Sequence, residues 1–252
     1  MEQLFHYLPT DLINIIVSSV RDYSDLENFL ISFPDLRSLH WPLIHSYVFG
    51  GEYVESMTYE EYSRKLGILS LREKLNLNIS IAELDNLKVL DLGNNELKNV
   101  PKEIGNLQNL QYLYLRNNKL PNVPKEIGNL QNLQYLDLRN NKLMDVPKEI
   151  GNLKSLKNLD LSSNKLTSVP KEIGNLQNLQ GLYLNNNQLT NVPKEIGNLK
   201  SLKNLDLSSN KLASVPKEIG NIKNLKYLIL NNNKLTDVPK EIKNMIDLNL
   251  IT

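Results

Sequence analysis

The chain has 252 residues, 23% of them charged, and a formal net charge of +1. Such a balance excludes a general electrostatic pull toward nucleic acid or an anionic membrane, and no run approaches the ~20 consecutive apolar residues of a spanning helix. The start, Met1-Glu2-Gln3-Leu4-Phe5-His6, lacks the basic region and apolar run of a secretory signal.

Residues 1–48 read as a small all-α module. Thr10-Asp11 can cap a helix whose Leu12, Ile15, Ile16 and Val20 share one face. Ser24-Asp25-Leu26-Glu27 is a capping box for a second helix, with Leu26, Phe29 and Leu30 inward. A third segment follows Pro34 through Leu36 and Leu39. Gly50-Gly51 interrupts the chain, and the capping box from Thr58 to Glu61 predicts a helix over 59–66.

From residue 87 to 252 a repeat dominates. Val-Pro-Lys begins at Val100, Val123, Val146, Val169, Val192, Val215 and Val238, always 23 residues apart. In the unit that holds Leu110, Leu113, Leu115, Asn118 and Leu120, the strand residues Leu113 and Leu115 point to one side. Leu120, Val123, Ile127 and Leu130 complete the inward set, while Tyr112, Tyr114 and Arg116 face solvent. Asn118 ends the strand, where an amide can satisfy backbone groups that lose their ladder partners. Its equivalents Asn95, Asn141, Asn164, Asn187, Asn210 and Asn233 are expected to form a ladder. Pro124 fits the first position of a short helical turn, and Gly128 can end it in a left-handed conformation. No single unit buries its own core, so each needs its neighbours.

The pattern fades at both ends. Counting back one repeat from Val100, Ile104 and Leu107 reaches Leu77, Ile81 and Leu84, with Asn78 in the proline position. Residues 49–86 therefore read as a linker helix and a degenerate capping repeat, the latter over about 66–86. Ile222, Lys243 and Met245 break the consensus near the other end.

The unit resembles the leucine-rich repeat, which implies an α/β solenoid: a parallel β-sheet horseshoe behind the N-terminal helices. Its Pro-Lys-Glu-Ile-Gly-Asn-Leu returns are similar to the 23-residue class of Ras-binding and Scribble-type scaffold proteins. That likeness implies protein interaction, often with small GTPases. Leu8-Pro9-Thr10-Asp11-Leu12 with Ile16, Tyr23-Ser24-Asp25-Leu26 and Leu36-Arg37-Ser38-Leu39 together resemble an F-box. The resemblance implies docking to a Skp-type adaptor of a cullin ubiquitin ligase through Leu8, Pro9, Leu12 and Ile16. The family's late Cys and Trp are not in their usual places, with Trp41 as a shifted stand-in. The alternative for this module is a helical cap over the first repeat. Asn- and Lys-rich repeats behind such a start also resemble proteins of giant DNA viruses.

The absence of cysteine favours a reducing, intracellular compartment, the host cytoplasm for a viral protein. All three histidines (His6, His40, His45) precede the repeats, so no Ser-His-Asp arrangement forms within them. No zinc-ligand spacing, P-loop or dinucleotide fingerprint appears, so neither a cofactor nor a metal nor an enzyme activity is expected. The concave sheet is the expected site, for a protein ligand. Its central column is Asp91, Tyr114, Asp137, Asp160, Tyr183, Asp206 and Ile229. Tyr112, Tyr114, Arg116, Tyr135, Asp137, Arg139, Asp160 and Tyr183 are the candidate contact residues, because Tyr and Arg are enriched at interface hot spots. The adjacent Asp137 and Asp160 are expected to repel, which favours a cationic group on the partner or raises the pKa of one of them. Residues 152–166 recur unchanged as 198–212, so Asp160 and Asp206 are copies. Two functions fit: substrate receptor of a ubiquitin ligase, or a scaffold binding a small GTPase or other signalling protein.

Overall fold

The computed structural model describes residues 59–245 and 248–252. The helices expected within residues 1–48, and Thr58 of the last capping box, lie outside the described residues. The chain divides into two compact units, Met1–Ile81 and Ala82–Thr252.

In the first unit, helix α1 (Tyr59–Lys74) runs eight residues beyond the expected 59–66. Ile68 and Leu71 are wholly buried, at helical spacing. Asn76 ends the helix in the left-handed region, at φ 50°. Around it the Leu77 amide donates to the Arg72 carbonyl at 2.9 Å and the Asn76 amide to Glu73 at 3.1 Å. This paired closure is a common way to end a helix. α1 covers the place where a degenerate repeat over 66–86 would start its strand. That stretch has no strand, but after the end of α1 the short helix α2 (Ile81–Asp85), with Leu84 buried, falls one repeat before the turn Lys102–Asn106.

The second unit is one parallel sheet of eight strands in sequential order. They are β1 (Val89–Asp91), β2 (Tyr112–Tyr114), β3 (Tyr135–Asp137), β4 (Asn158–Asp160), β5 (Gly181–Tyr183), β6 (Asn204–Asp206), β7 (Tyr227–Ile229) and β8 (Asn249–Ile251). Register follows the repeat: Leu90 pairs with Leu113, Leu113 with Leu136, and so on to Leu228. These central leucines form one buried column. Leu115, Leu120, Ile127 and Leu130 are also fully enclosed, as the period requires. Each such side chain stabilises the array by ~1.5–3 kcal/mol.

The asparagine ladder forms over six units: Asn118, Asn141, Asn164, Asn187 and Asn210 are each under 10% exposed, and the half-buried Asn233 makes the same bonds, to the Leu207 and Leu230 carbonyls and from the Leu212 amide. Asn118 donates to the carbonyls of Leu92 (2.8 Å) and Leu115 (2.9 Å) and accepts from the amides of Asn95 (3.1 Å) and Leu97 (2.9 Å). Asn95, expected in the same ladder, is exposed at its start.

Two readings of the return need correction. Pro124 precedes the 3-10 turn Lys125–Asn129 instead of opening it: its φ is −67° and ψ 147°, and its carbonyl accepts the Ile127 amide at 3.1 Å. Gly128 is not left-handed. A Cβ on Gly128 would lie 2.4 Å from the Glu149 carbonyl oxygen of the next turn, so glycine is there for close stacking. The left-handed residues of the repeats are those just before the ladder, Asn94, Asn117, Asn140, Ser163, Asn186, Ser209 and Asn232, together with Glu96 in the first unit. Asn tolerates that region through local hydrogen bonding.

Past the last such glycine, Lys243 ends a short α-helix, α3 (Lys240–Lys243). Asn249 pairs with Tyr227, one residue short of a full repeat. Among the described residues, no helix is long and apolar enough to cross a membrane.

Candidate interaction surface on the concave sheet

Strand alternation puts the even columns of the sheet on one face. The expected columns are observed: Asp91, Tyr114, Asp137, Asp160, Tyr183, Asp206 and Ile229 are successive partners across β1–β7. The inner column Val89, Tyr112, Tyr135, Asn158, Gly181, Asn204 and Tyr227 runs beside it.

The N-terminal half holds a cohesive cluster. The Tyr114 and Tyr135 rings stand 5.4 Å apart, tilted by 41°. The Arg116 guanidinium lies 5.1 Å from the Tyr114 centroid and donates to Asp91 at 3.0 Å. Tyr112, Tyr114 and Tyr135 are all half-buried, each keeping part of its ring accessible. Burial and the neighbouring Asp137 and Asp160 push the Tyr135 phenol above its usual range.

Asp137 and Asp160 do not face solvent as expected. They are 1% and 9% exposed. Asp137 accepts the Arg139 amide at 3.2 Å, and Asp160 accepts both the amide (2.9 Å) and the hydroxyl (2.6 Å) of Ser162. The Arg139 side chain reaches both carboxylates, at 3.5 Å from Asp137 and 3.9 Å from Asp160. The cation expected from a partner is thus supplied by the chain itself. Burial pushes the Asp137 carboxyl up, against the amide and guanidinium of Arg139 that pull it down. At the array start, the Gly93 amide and Arg116 hold Asp91 low despite some burial.

Tyr183, on β5, is the cross-strand partner of Asp160 and borders the cluster. A Cβ on Gly181 would meet its ring at 3.0 Å, so the ring folds over the glycine. Burial first, then Asp160 and Asp206, raises its phenol. The outward columns read from the sequence therefore place all eight candidates along the adjacent strands β2–β5, with Tyr183 at the far edge beside Asp160. Asp91, the partner of Arg116, was missed; its place in the same column as Tyr114 was the available signal. Leu8, Pro9, Leu12 and Ile16 lie outside the described residues. Among the described residues, no three His, Cys, Asp or Glu side chains converge as metal ligands.

Comparison with known proteins supports this architecture. Residues 122–189 and 179–252 match the description "Leucine-rich repeat region", and residues 76–120 match "Leucine rich repeat". No curated protein matches the chain in sequence. Among solved structures, a leucine-rich-repeat protein of Leptospira interrogans is 48% identical, with a TM-score of 0.64, over 68% of this chain and 50% of its own. The plant peptide hormone receptor RGFR1 in complex with RGF2 is 38% identical, with a TM-score of 0.61, over 68% and 29%. A TDR receptor is 37% identical, with a TM-score of 0.57, over 60% and 27%. The chain thus matches half the length of the first and under a third of either receptor. With family matches over more than half of its residues and a parallel solenoid behind them, the chain belongs to the leucine-rich-repeat family.

Proposed function

We propose that the chain is a non-catalytic binding subunit: its concave sheet captures a protein or peptide ligand, and residues 1–48 dock to a Skp-type adaptor of a cullin ubiquitin ligase. One observation carries the first half. Tyr112, Tyr114, Tyr135 and Arg116 form a partly accessible aromatic and cationic patch, with the Tyr114 ring against Tyr135 and under the Arg116 guanidinium. Aromatics with Arg are the composition of binding hot spots. The similar receptor RGFR1, a peptide hormone receptor, favours a peptide ligand. The F-box-like residues Leu8, Pro9, Leu12 and Ile16 support the second half, which implies a reducing intracellular setting. Neither metal nor cofactor enters this reading.

The full chain, passed over an immobilised Skp-type adaptor, should be retained, and Leu8→Asp with Ile16→Asp should abolish retention. Failure of the wild-type chain to bind would replace the ligase reading with that of a scaffold whose N-terminus is only a cap. For the ligand side, Tyr114→Ala should weaken partner binding by more than ~1 kcal/mol, as expected for a central anchor. The convex Lys171→Ala should leave binding unchanged. The opposite pattern would refute the concave site.

A further inference from the structure

Four aspartates share the central column of the concave face: Asp91, Asp137, Asp160 and Asp206. Each uses Oδ1 locally, accepting the amide two residues on: Gly93 at 2.9 Å, Arg139 at 3.2 Å, Ser162 at 2.9 Å and Ser208 at 2.9 Å. Their Oδ2 atoms differ. Asp91 faces Arg116 at 3.0 Å, and Asp137 and Asp160 face Arg139 at 3.5 and 3.9 Å. Among the described residues, Asp206 has no cation within ion-pair distance.

The internal duplication makes this a controlled comparison. Residues 198–212 repeat 152–166 letter for letter, so Asp160 and Asp206 have the same local sequence and the same serine bonds. Only the neighbouring strands differ. Asp160 sits beside β3, which carries Arg139; Asp206 sits between Tyr183 of β5 and Ile229 of β7. The surroundings of Asp206 are also more apolar. Tyr227 is 48% exposed and Ile251, the partner of Ile229, is 49% exposed. Exposed aromatic and branched side chains around a carboxylate suit a cation with an aliphatic stem. The stem covers Ile229 and Tyr227 while the head reaches the carboxylate.

The lysines at the edges of the sheet limit the ligand further. Lys203 and Lys226 precede β6 and β7, and Lys211 and Lys234 follow the bends after them, all exposed. A polybasic segment would meet these four charges, and a phosphate-rich one would meet Asp206 and Asp160.

We infer that the C-terminal half of the concave face is a separate docking subsite for a peptide segment carrying a single Lys or Arg beside an apolar residue, with Asp206 pairing the cation and Tyr183, Tyr227 and Ile229 lining its stem. This deepens the proposed function and rests on its claim that the concave sheet binds a peptide or protein.

The test screens the full chain against a synthetic library of blocked dodecapeptides, then measures the selected peptides by fluorescence anisotropy. Selected sequences should carry one Arg or Lys next to an apolar residue. Asp206→Asn retains an acceptor for the Ser208 amide, and replacing the peptide's Arg by citrulline retains its shape. Each change should weaken binding roughly tenfold, and the two together no more than either alone, as expected for a direct charge pair. Tyr227→Ala should also weaken it, with circular dichroism unchanged for both variants. Selection without basic preference, or unchanged affinity for Asp206→Asn, overturns the subsite. If such peptides bind and instead need Tyr112 and Tyr114, the subsite fails while the proposed concave site stands. If no peptide in the library binds, the subsite fails, and the concave site is judged by the Tyr114→Ala and Lys171→Ala comparison.

Discussion

Asn164 shows how the ladder holds the array, and its replacement should be informative. Its Nδ2 donates to the carbonyls of Leu138 (3.0 Å), Leu161 (3.0 Å) and Ser162 (3.1 Å), and its Oδ1 accepts the Leu143 amide at 3.1 Å. Two of these carbonyls have a second amide donor: Asn141 also reaches Leu138, and Asn187 also reaches Leu161. In Asn164→Ala the group left without its acceptor is therefore the Leu143 amide. One buried orphan costs ~1–3 kcal/mol, and the lost bonds add to it, so the total should be ~2–4 kcal/mol. Asn164→Asp has almost the same shape and should be worse at neutral pH. It keeps the acceptor for Leu143 but sets a carboxylate oxygen about where Nδ2 faced three carbonyls. The introduced carboxyl must stay protonated to fit, so its folded pKa is raised above the unfolded ~3.9. A raised acid contributes most below its unfolded pKa, and that contribution falls as pH rises through the folded value. Urea melts followed by circular dichroism from pH 3 to 8 should thus show the Asp variant near wild type at the acid end and losing ground above pH ~4. Amide exchange should show Leu143 opening more readily in the Ala variant. Equal stability of wild type and Asn164→Asp at pH 7 would refute the ladder argument.

Other substitutions test the remaining packing. Leu159→Ala empties a fully enclosed site and should cost ~2–5 kcal/mol in urea melts. Asp160→Ala, which leaves the buried Ser162 amide without its acceptor, should cost ~1–3 kcal/mol, not the near-zero of a solvent-facing residue. In Gly151→Ala the new methyl would stand 2.4 Å from the Glu172 carbonyl oxygen, so adjacent turns must separate. Its cost should be ~1–3 kcal/mol in the same assay, and a neutral result would contradict the stacking role. Burial raises Asp137, so its contribution is present below pH ~4 and lost as pH rises through its folded value. Asp137→Asn should therefore flatten the decline in stability above pH ~4, measured as melting temperature against pH.

The sequence alone determined the solenoid, its register and the identity of its core. A strict 23-residue period leaves one way to stack the units, and it sends Leu113, Ile127 and Asn118 inward, where they are buried. The columns of the concave face followed from strand alternation for the same reason. What alternation does not contain is curvature and reach. Outward position on a strand did not mean exposure for Asp137, because the neighbouring Arg139 side chain and its own backbone enclose it. Similarly, Gly128 reads as a left-handed helix end in one unit, whereas its reason lies in the Glu149 carbonyl of the next. The stretch 66–86 kept the spacing of a repeat in Leu77, Ile81 and Leu84, yet α1 occupies the place of its strand. Helical spacing at Ile68 and Leu71, with a left-handed closure at Asn76, outweighed the residual period there. The difference between Asp160 and Asp206 needs both sequence and fold: the period puts Arg139 one unit before Ser162 and Asn185 one unit before Ser208, and the fold brings the Arg139 side chain to 3.9 Å from the Asp160 carboxylate. Their segments are identical, and only the strands stacked beside them decide that one carboxylate meets an arginine and the other does not.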